Sequence, residues 1–327
     1  MSKARTSGRR WTLRVACGLV ALVVIAVGVM FVVFSSWKSG HVRELEAGSL
    51  IMTTALGDVE YAVVGTGLPY LSIHGTPGDY NTALTSRRAA SELYVDQKTI
   101  TLSRPGYLRT PLSSGQTFEQ QADLMAALLD KLAIDRAVIV ASSGGGYDGL
   151  QFALRHPNRC IALVMLSTSV NYEAKAPDRT RNAFLRGLQD FGLWSMTLSN
   201  VLPGLIVKDW NRNDPEQVAF FNGLLRGMIP ITSHLDGARN DETQRVDRNI
   251  DRWPLERITI PTLLIHGNAD ENSDYKGSVY VASKIPHAEL VTFAGGDHFI
   301  PVTHAREIRE HIHRFVGAHL IEGRPAQ

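Results

Sequence analysis

Short apolar or alternating runs, each bounded by turn residues, recur along the chain after about residue 48. They fall at Leu50 to Ala55, Val59 to Val64, Tyr70 to Ile73, Thr99 to Leu102, Ala137 to Val140, Ala162 to Leu166, Thr262 to Ile265 and Leu290 to Phe293. Runs of this length, rich in Val, Ile and Thr, read as strands. Gly57 reads as the hairpin turn between the first two. The later runs alternate with segments of helical period, which predicts an α/β fold with a mostly parallel sheet covered by helices on both faces. Thr117-Phe118-Glu119-Gln120 has the form of a capping box, and Ala122, Leu124, Met125, Leu128, Leu129 and Leu132 follow it at helical spacing. A terminal helix is expected from about Ala305 to Leu320.

Two stretches break this rhythm. Residues 170–253 separate the sixth and seventh runs and are too long for a crossover helix. They are expected to form a helical lid, so that the core comprises residues 50–169 and 254–327. Apolar residues of the lid, Phe191 and Trp194 among them, suggest amphipathic helices over the mouth of the sheet; Phe191 and Trp194 are the expected substrate contacts. On this reading the lid selects the substrate and leaves the chemistry to the core.

The other stretch is N-terminal. Val15 to Phe34 is twenty uncharged, mainly apolar residues, about 30 Å as a helix, which matches the hydrocarbon core of a bilayer. The expected organisation is a basic tail (1–14), a membrane-spanning signal anchor (15–37) and a linker (38–49). Lys3, Arg5, Arg9, Arg10 and Arg14 precede the span, while Lys38 and Arg43 after it are mixed with Glu44 and Glu46. That bias keeps the N-terminus cytoplasmic and the rest extracytoplasmic, with the lipid bilayer as a partner. A cleaved signal peptide is the alternative; Phe34-Ser35-Ser36-Trp37-Lys38 is a poor cleavage site.

Composition adds little beyond an ordinary globular enzyme. Hydrophobic residues make up 44% of the chain, ample for one large core. The formal charge of +2 misleads, because five of the 34 basic residues lie before the span. The remaining 29 face 32 acidic ones, a net of −3, so nothing points to nucleic acid. Cys17 lies in the span and Cys160 before a core strand, so no intrachain disulfide is expected and the redox compartment stays open. No cofactor or metal motif stands out. His311 and His313 are two apart on a helix and point in different directions, and His74 and His266 read as turn-packing residues at strand ends.

Chemistry enters at strand ends. Ala141-Ser142-Ser143-Gly144-Gly145-Gly146 follows the fifth run and precedes a helix-compatible segment, so Ser143 sits on a strand-to-helix turn whose neighbours must be small. The seventh run ends in His266-Gly267-Asn268-Ala269-Asp270, and the eighth in Ala294-Gly295-Gly296-Asp297-His298. A serine hydroxyl needs a base to take its proton, and the base needs an acceptor that fixes its tautomer. Ser143, His298 and Asp270 fit these roles, with Glu271 and Asp274 as alternative acids. The anion developing on the attacked carbonyl needs backbone donors. The Gly144 N-H is one candidate, and the Thr76 N-H in His74-Gly75-Thr76-Pro77-Gly78 is the other.

Together these segments, with Ser103-Arg104-Pro105-Gly106-Tyr107, resemble the α/β-hydrolase superfamily over nearly everything after residue 48. The H-G-x-P-G form is similar to that of its lid-bearing members, and the order Ser, Asp, His is the superfamily's own. Ala141 replaces the usual leading glycine of the serine turn. The resemblance implies an eight-stranded, mostly parallel α/β-hydrolase sheet with a helical lid. It implies, too, a serine hydrolase that needs no cofactor or metal and cleaves a small-molecule ester or related acyl bond. A proline-iminopeptidase-like aminopeptidase, a carbon-carbon bond hydrolase and a non-catalytic scaffold are the alternatives. The peptidase needs a lid carboxylate for the substrate amine; Glu173, Asp178, Asp190, Asp214, Glu216 and Asp236 are available. Arg239-Asn240-Asp241 has no assigned role at this level.

Overall fold

Strands β1 (Leu50–Thr54), β2 (Gly57–Val64), β3 (Leu68–Ile73), β4 (Gln97–Leu102), β5 (Ala137–Ser142), β6 (Cys160–Leu166), β7 (Thr262–Gly267) and β8 (Glu289–Phe293) form a single sheet. The structure, a computed structural model, describes residues 2–170, 183–199, 201–247 and 250–322. The order across the sheet is β1-β2-β4-β3-β5-β6-β7-β8. Strand β2 is antiparallel to β1 and β4, and every pairing from β4 to β8 is parallel. All eight expected runs are strands.

Period-two alternation assigns each side chain to one face. In β5, Ala137, Ile139 and Ala141 join one core cluster, while Val138 and Val140 join the other. Both faces are covered, which is why this strand reads as an unbroken apolar run.

The helices, in chain order, are α1 (Ser2–Ala47), α2 (Thr82–Ala89), α3 (Phe118–Lys131), α4 (Gly146–Arg155), α5 (Ala183–Thr197), α6 (Pro215–Gly227), α7 (Leu235–Asp247), α8 (Tyr275–Lys284), α9 (Ile300–Thr303) and α10 (Ala305–Glu322). Helices α3, α4 and α8 cover the first face through residues such as Leu124, Leu150 and Val281. On the second face, α10 presents Ile308, Ile312, Phe315 and Val316, a single stripe at helical spacing. The capping box of α3 forms as expected: Thr117 Oγ1 accepts the Gln120 N-H at 3.2 Å, and Gln120 Oε1 accepts the Thr117 N-H at 3.2 Å.

Contacts divide the chain into a unit of residues 1–45 and a unit of residues 46–327. Helix α1 makes up nearly all of the first. Within Arg14–Ala47 its mean hydropathy reaches 3.0, long and apolar enough to cross a membrane. The expected linker at 38–49 is a correction: the chain stays helical to Ala47, because Arg43-Glu44-Leu45-Glu46-Ala47 is built of strong helix formers. Helices α5, α6 and α7 occupy the long insertion and share one unit with the sheet. Residues 171–182, with Glu173 and Asp178, lie outside the described residues.

Candidate active site

Between the end of β5 and the start of α4, Ser143 has φ of 46°. This left-handed conformation is costly for a residue with a Cβ and is held only where the surroundings enforce it. The loop after β3 lies directly against it: a carbon added to Gly75 would sit 2.8 Å from Ser143 Cβ.

The loops after β7 and β8 bring Asp270 and His298 together. His298 Nδ1 donates to Asp270 Oδ2 at 2.7 Å, leaving the Nε2 lone pair free. Asp270 Oδ1 accepts the Asn272 and Ser273 N-H groups, each at 2.8 Å. His266 Nε2 adds a further contact to Oδ2 at 3.0 Å. His266, expected to be a turn-packing residue, is therefore tied to the acid, and its Nδ1 pairs with Ser278 Oγ at 2.7 Å. Burial alone would raise the Asp270 carboxyl, but these hydrogen bonds and the His298 charge hold it well below the usual range. The alternative acids are placed elsewhere. Asp274 caps α8 through the Lys276 N-H, and Glu271 is exposed. Among the described residues no hydrogen bond of Ser143 Oγ is formed; Ser143 follows β5 and His298 follows β8 at the same edge of the sheet.

Behind Thr76 and Gly144 stands a cluster of buried charge that the sequence reading missed. Arg104, wholly buried, donates to both oxygens of Asp241 at 3.0 and 2.6 Å and to Asp148 Oδ2 at 2.9 Å. Asp241 Oδ2 also accepts from Tyr107 Oη at 2.7 Å and Thr76 Oγ1 at 2.6 Å. Thr76 Oγ1 in turn accepts from Arg104 Nη2 at 3.0 Å and Arg245 Nη2 at 3.1 Å. Below them His74 accepts the Arg104 N-H at Nε2 (2.9 Å) and faces the Gly75 carbonyl with Nδ1 (2.7 Å), which assigns the neutral Nδ1-H tautomer. Burial and the nearby Arg104 charge push His74 down to about 3. Arg104 and Tyr107 come from the Ser103 to Tyr107 segment, Asp241 from the unassigned Arg239-Asn240-Asp241.

Two carboxylates thus share one guanidinium unequally. Burial would raise both, yet Asp241, with four donors, is held low by Arg104 and Arg245. Asp148 has one donor, its Oδ1 is buried without a partner, and burial with the Asp241 charge pushes it up to about 7.

Of the expected substrate contacts, Trp194 is buried and its ring centroid lies 5.8 Å from that of Phe191; Leu193 and Met196 of the same helix pack with the α6 cluster. Three of the described lid carboxylates are engaged. Asp190 accepts the Ile231 N-H, Asp214 caps α6, and Glu216 pairs with Arg306. Among the described residues, no group of three or more His, Cys, Asp or Glu side chains is placed to hold a metal ion.

The Asp148 shift has a measurable sign. An acid raised on folding binds its proton more tightly in the folded state, so stability falls as pH climbs from about 4, the unfolded value, to about 7. Urea unfolding across that window should show wild type losing stability relative to Asp148→Asn as pH rises. Parallel stability curves would contradict the assignment.

Comparisons with known proteins agree with this fold. A model of the Alpha/beta hydrolase family matches residues 71–311. An uncharacterized hydrolase, YcgS, of Bacillus subtilis is 30% identical over 158 residues, a match spanning 46% of this chain and about half (54%) of that protein. The 2-hydroxymuconate semialdehyde hydrolase of Pseudomonas putida is 25% identical over 276 residues, 77% of this chain and 88% of that one. Among solved structures, an alpha/beta hydrolase fold protein from Nakamurella multipartita superposes with a TM-score of 0.68 at 28% identity, covering 82% of this chain and 98% of its own. With the family model matched over well more than half its length, this chain belongs to the α/β hydrolase family and is a hydrolase.

Proposed function

We propose that this protein is a membrane-anchored serine hydrolase that cleaves a small-molecule ester or related acyl bond. The observation that supports it best is the 2.7 Å bond from His298 Nδ1 to Asp270, which leaves Nε2 free at the sheet edge where Ser143 stands. Ser143 Oγ attacks the acyl carbon and gives its proton to His298 Nε2. The imidazolium passes that proton to the leaving alcohol, and water, activated by the same histidine, releases the acid. Asp270 stays ionised throughout and stabilises the imidazolium. The N-H groups of Thr76 and Gly144 are the oxyanion donors; among the described residues neither is given to another acceptor.

The choice of an ester rests on which charges remain available. An anionic substrate would call for a free cation near the serine. Arg104 and Arg245, the guanidiniums behind Thr76 and Gly144, are instead engaged by Asp241, Asp148 and Glu242. Asp190, Asp214 and Glu216 are likewise engaged and are not offered to a substrate amine. Phe191 and Trp194 of α5 are the proposed contacts for an apolar acyl group. Helix α1 is the anchor, with the basic tail cytoplasmic and residues 46–327 outside.

Ser143→Ala should abolish fluorophosphonate labelling and lower p-nitrophenyl ester turnover by on the order of 10⁴-fold or more, and Asp270→Asn should cost about 10⁴-fold in kcat. Labelling that persists in Ser143→Ala would sink the assignment. In spheroplasts, added protease should digest the catalytic unit while an N-terminal tag survives inside. A mature N-terminus beyond Phe34 would show a cleaved signal instead.

A further inference from the structure

We infer that helix α7 of the lid carries part of the catalytic machinery, with Asp241 and Arg245 as positioning residues that hold the two oxyanion donors in register. The inference rests on the serine mechanism proposed above and concerns how that site is assembled.

Asp241 and Arg245 are four residues apart and so share one face of α7. Both reach the same atom. Thr76 Oγ1 donates to Asp241 and accepts from Arg245 and Arg104, which fills its one donor and two acceptor sites. Its side chain cannot turn without breaking charge-assisted bonds, and the backbone N-H of the same residue is fixed with it. Arg245 then crosses to the second donor. The nitrogen that reaches Thr76 also donates to the Gly144 carbonyl at 3.3 Å. One guanidinium nitrogen, with two N-H bonds, therefore ties the loop after β3 to the turn after β5. Both contacts are close enough that a carbon added to Gly144 would lie 2.2 Å from Thr76 Oγ1 and 2.5 Å from Arg245 Nη2.

The helix itself is clamped to the core. The Gly237 N-H donates to Gly106 O at 2.9 Å, and the Leu108 N-H to Ser233 O at 2.8 Å. Gln244 Oε1 accepts the Phe118 N-H at the start of α3 at 2.7 Å, and Asn240 Nδ2 donates to Gln116 O at 3.0 Å. A lid helix that only opened and closed over substrate would have to break all of these and part Asp241 from Arg104, leaving the buried guanidinium with Asp148 as its carboxylate partner. On this reading α7 belongs to the oxyanion site, and substrate selection is left to the rest of the lid.

The test pairs two variants that spare the Arg104 and Asp241 ion pair. Thr76→Val removes the hydroxyl while keeping the shape, and Arg245→Met removes the bridge to Gly144. Thr76→Ser, which keeps the hydroxyl, is the rescue. Each is measured in the full chain for kcat and KM on p-nitrophenyl butyrate, normalised to serine titrated by fluorophosphonate. Affinity for an alkyl trifluoromethyl ketone, whose adduct places an oxyanion in the hole, is measured alongside thermal unfolding.

Thr76→Val and Arg245→Met should lower kcat per titrated serine by about 10- to 100-fold, short of the loss of a donor outright, with KM within about twofold. Ketone affinity should fall in step with kcat, and Thr76→Ser should restore both. Variants that bind the ketone as tightly as wild type, or whose loss is only a loss of titratable serine, would overturn the inference and leave α7 a structural helix. A wild type that is neither labelled nor inhibited would instead overturn the serine mechanism beneath it. Should Arg245→Met fail to fold, the Val and Ser pair at Thr76 decides alone.

Discussion

Parallel pairing of β3, β5, β6, β7 and β8 forces the loops that follow these strands onto one edge of the sheet. Thr76, Ser143, Asp270 and His298 stand on four of those loops, so residues more than two hundred positions apart are gathered by strand direction alone. Ligand sites in open parallel sheets lie at this edge for the same reason. What strand order does not supply is the last ångström of alignment. That comes from two sets of hydrogen bonds: the four donors around Asp270, which aim His298, and those that saturate Thr76 Oγ1.

The second set is built from ions that are expensive to bury. Arg104, Asp148 and Asp241 have no exposed side-chain surface, and removing charges from water costs several kcal/mol per ion before pairing offsets it. Apolar residues of similar volume would fill such a site at lower cost. A bidentate guanidinium-carboxylate pair brings direction instead, because its planar geometry fixes where Thr76, Tyr107 and α7 stand relative to one another. The unequal sharing, with Asp241 held low and Asp148 pushed up to about 7, is the residue of that arrangement. Asp241 accepts four hydrogen bonds and Asp148 one.

Much of this was legible in the sequence, and the boundary of legibility has physical causes. The strands could be read because residues covered on both faces form unbroken apolar runs, as β5 does, and the box before α3 because its bonds span three residues. Ser143, Asp270 and His298 stood out as reactive types at strand ends beside glycines. Asp241 could not be read this way. The α7 sequence is mostly polar and looks like a solvated helix, and Asp241 gains meaning only from Arg104, 137 positions away. His266 reads as packing in the sequence because its partner Asp270 lies across a turn whose geometry a sequence does not specify. Residues 38–49 read as a linker on their Ser, Gly and Glu content, whereas local helix propensity extends α1 to Ala47.

The reading of this family member as a serine hydrolase depends on a covalent bond at one oxygen. Mixing the full-length protein with p-nitrophenyl butyrate, quenching in acid within milliseconds and mapping the peptides by mass spectrometry looks for that bond directly. A butyryl group on the peptide containing Ser143, formed in step with the first equivalent of nitrophenol, is the result the mechanism requires. Nitrophenol release with no acylated peptide, or with the acyl group on another residue, would contradict it.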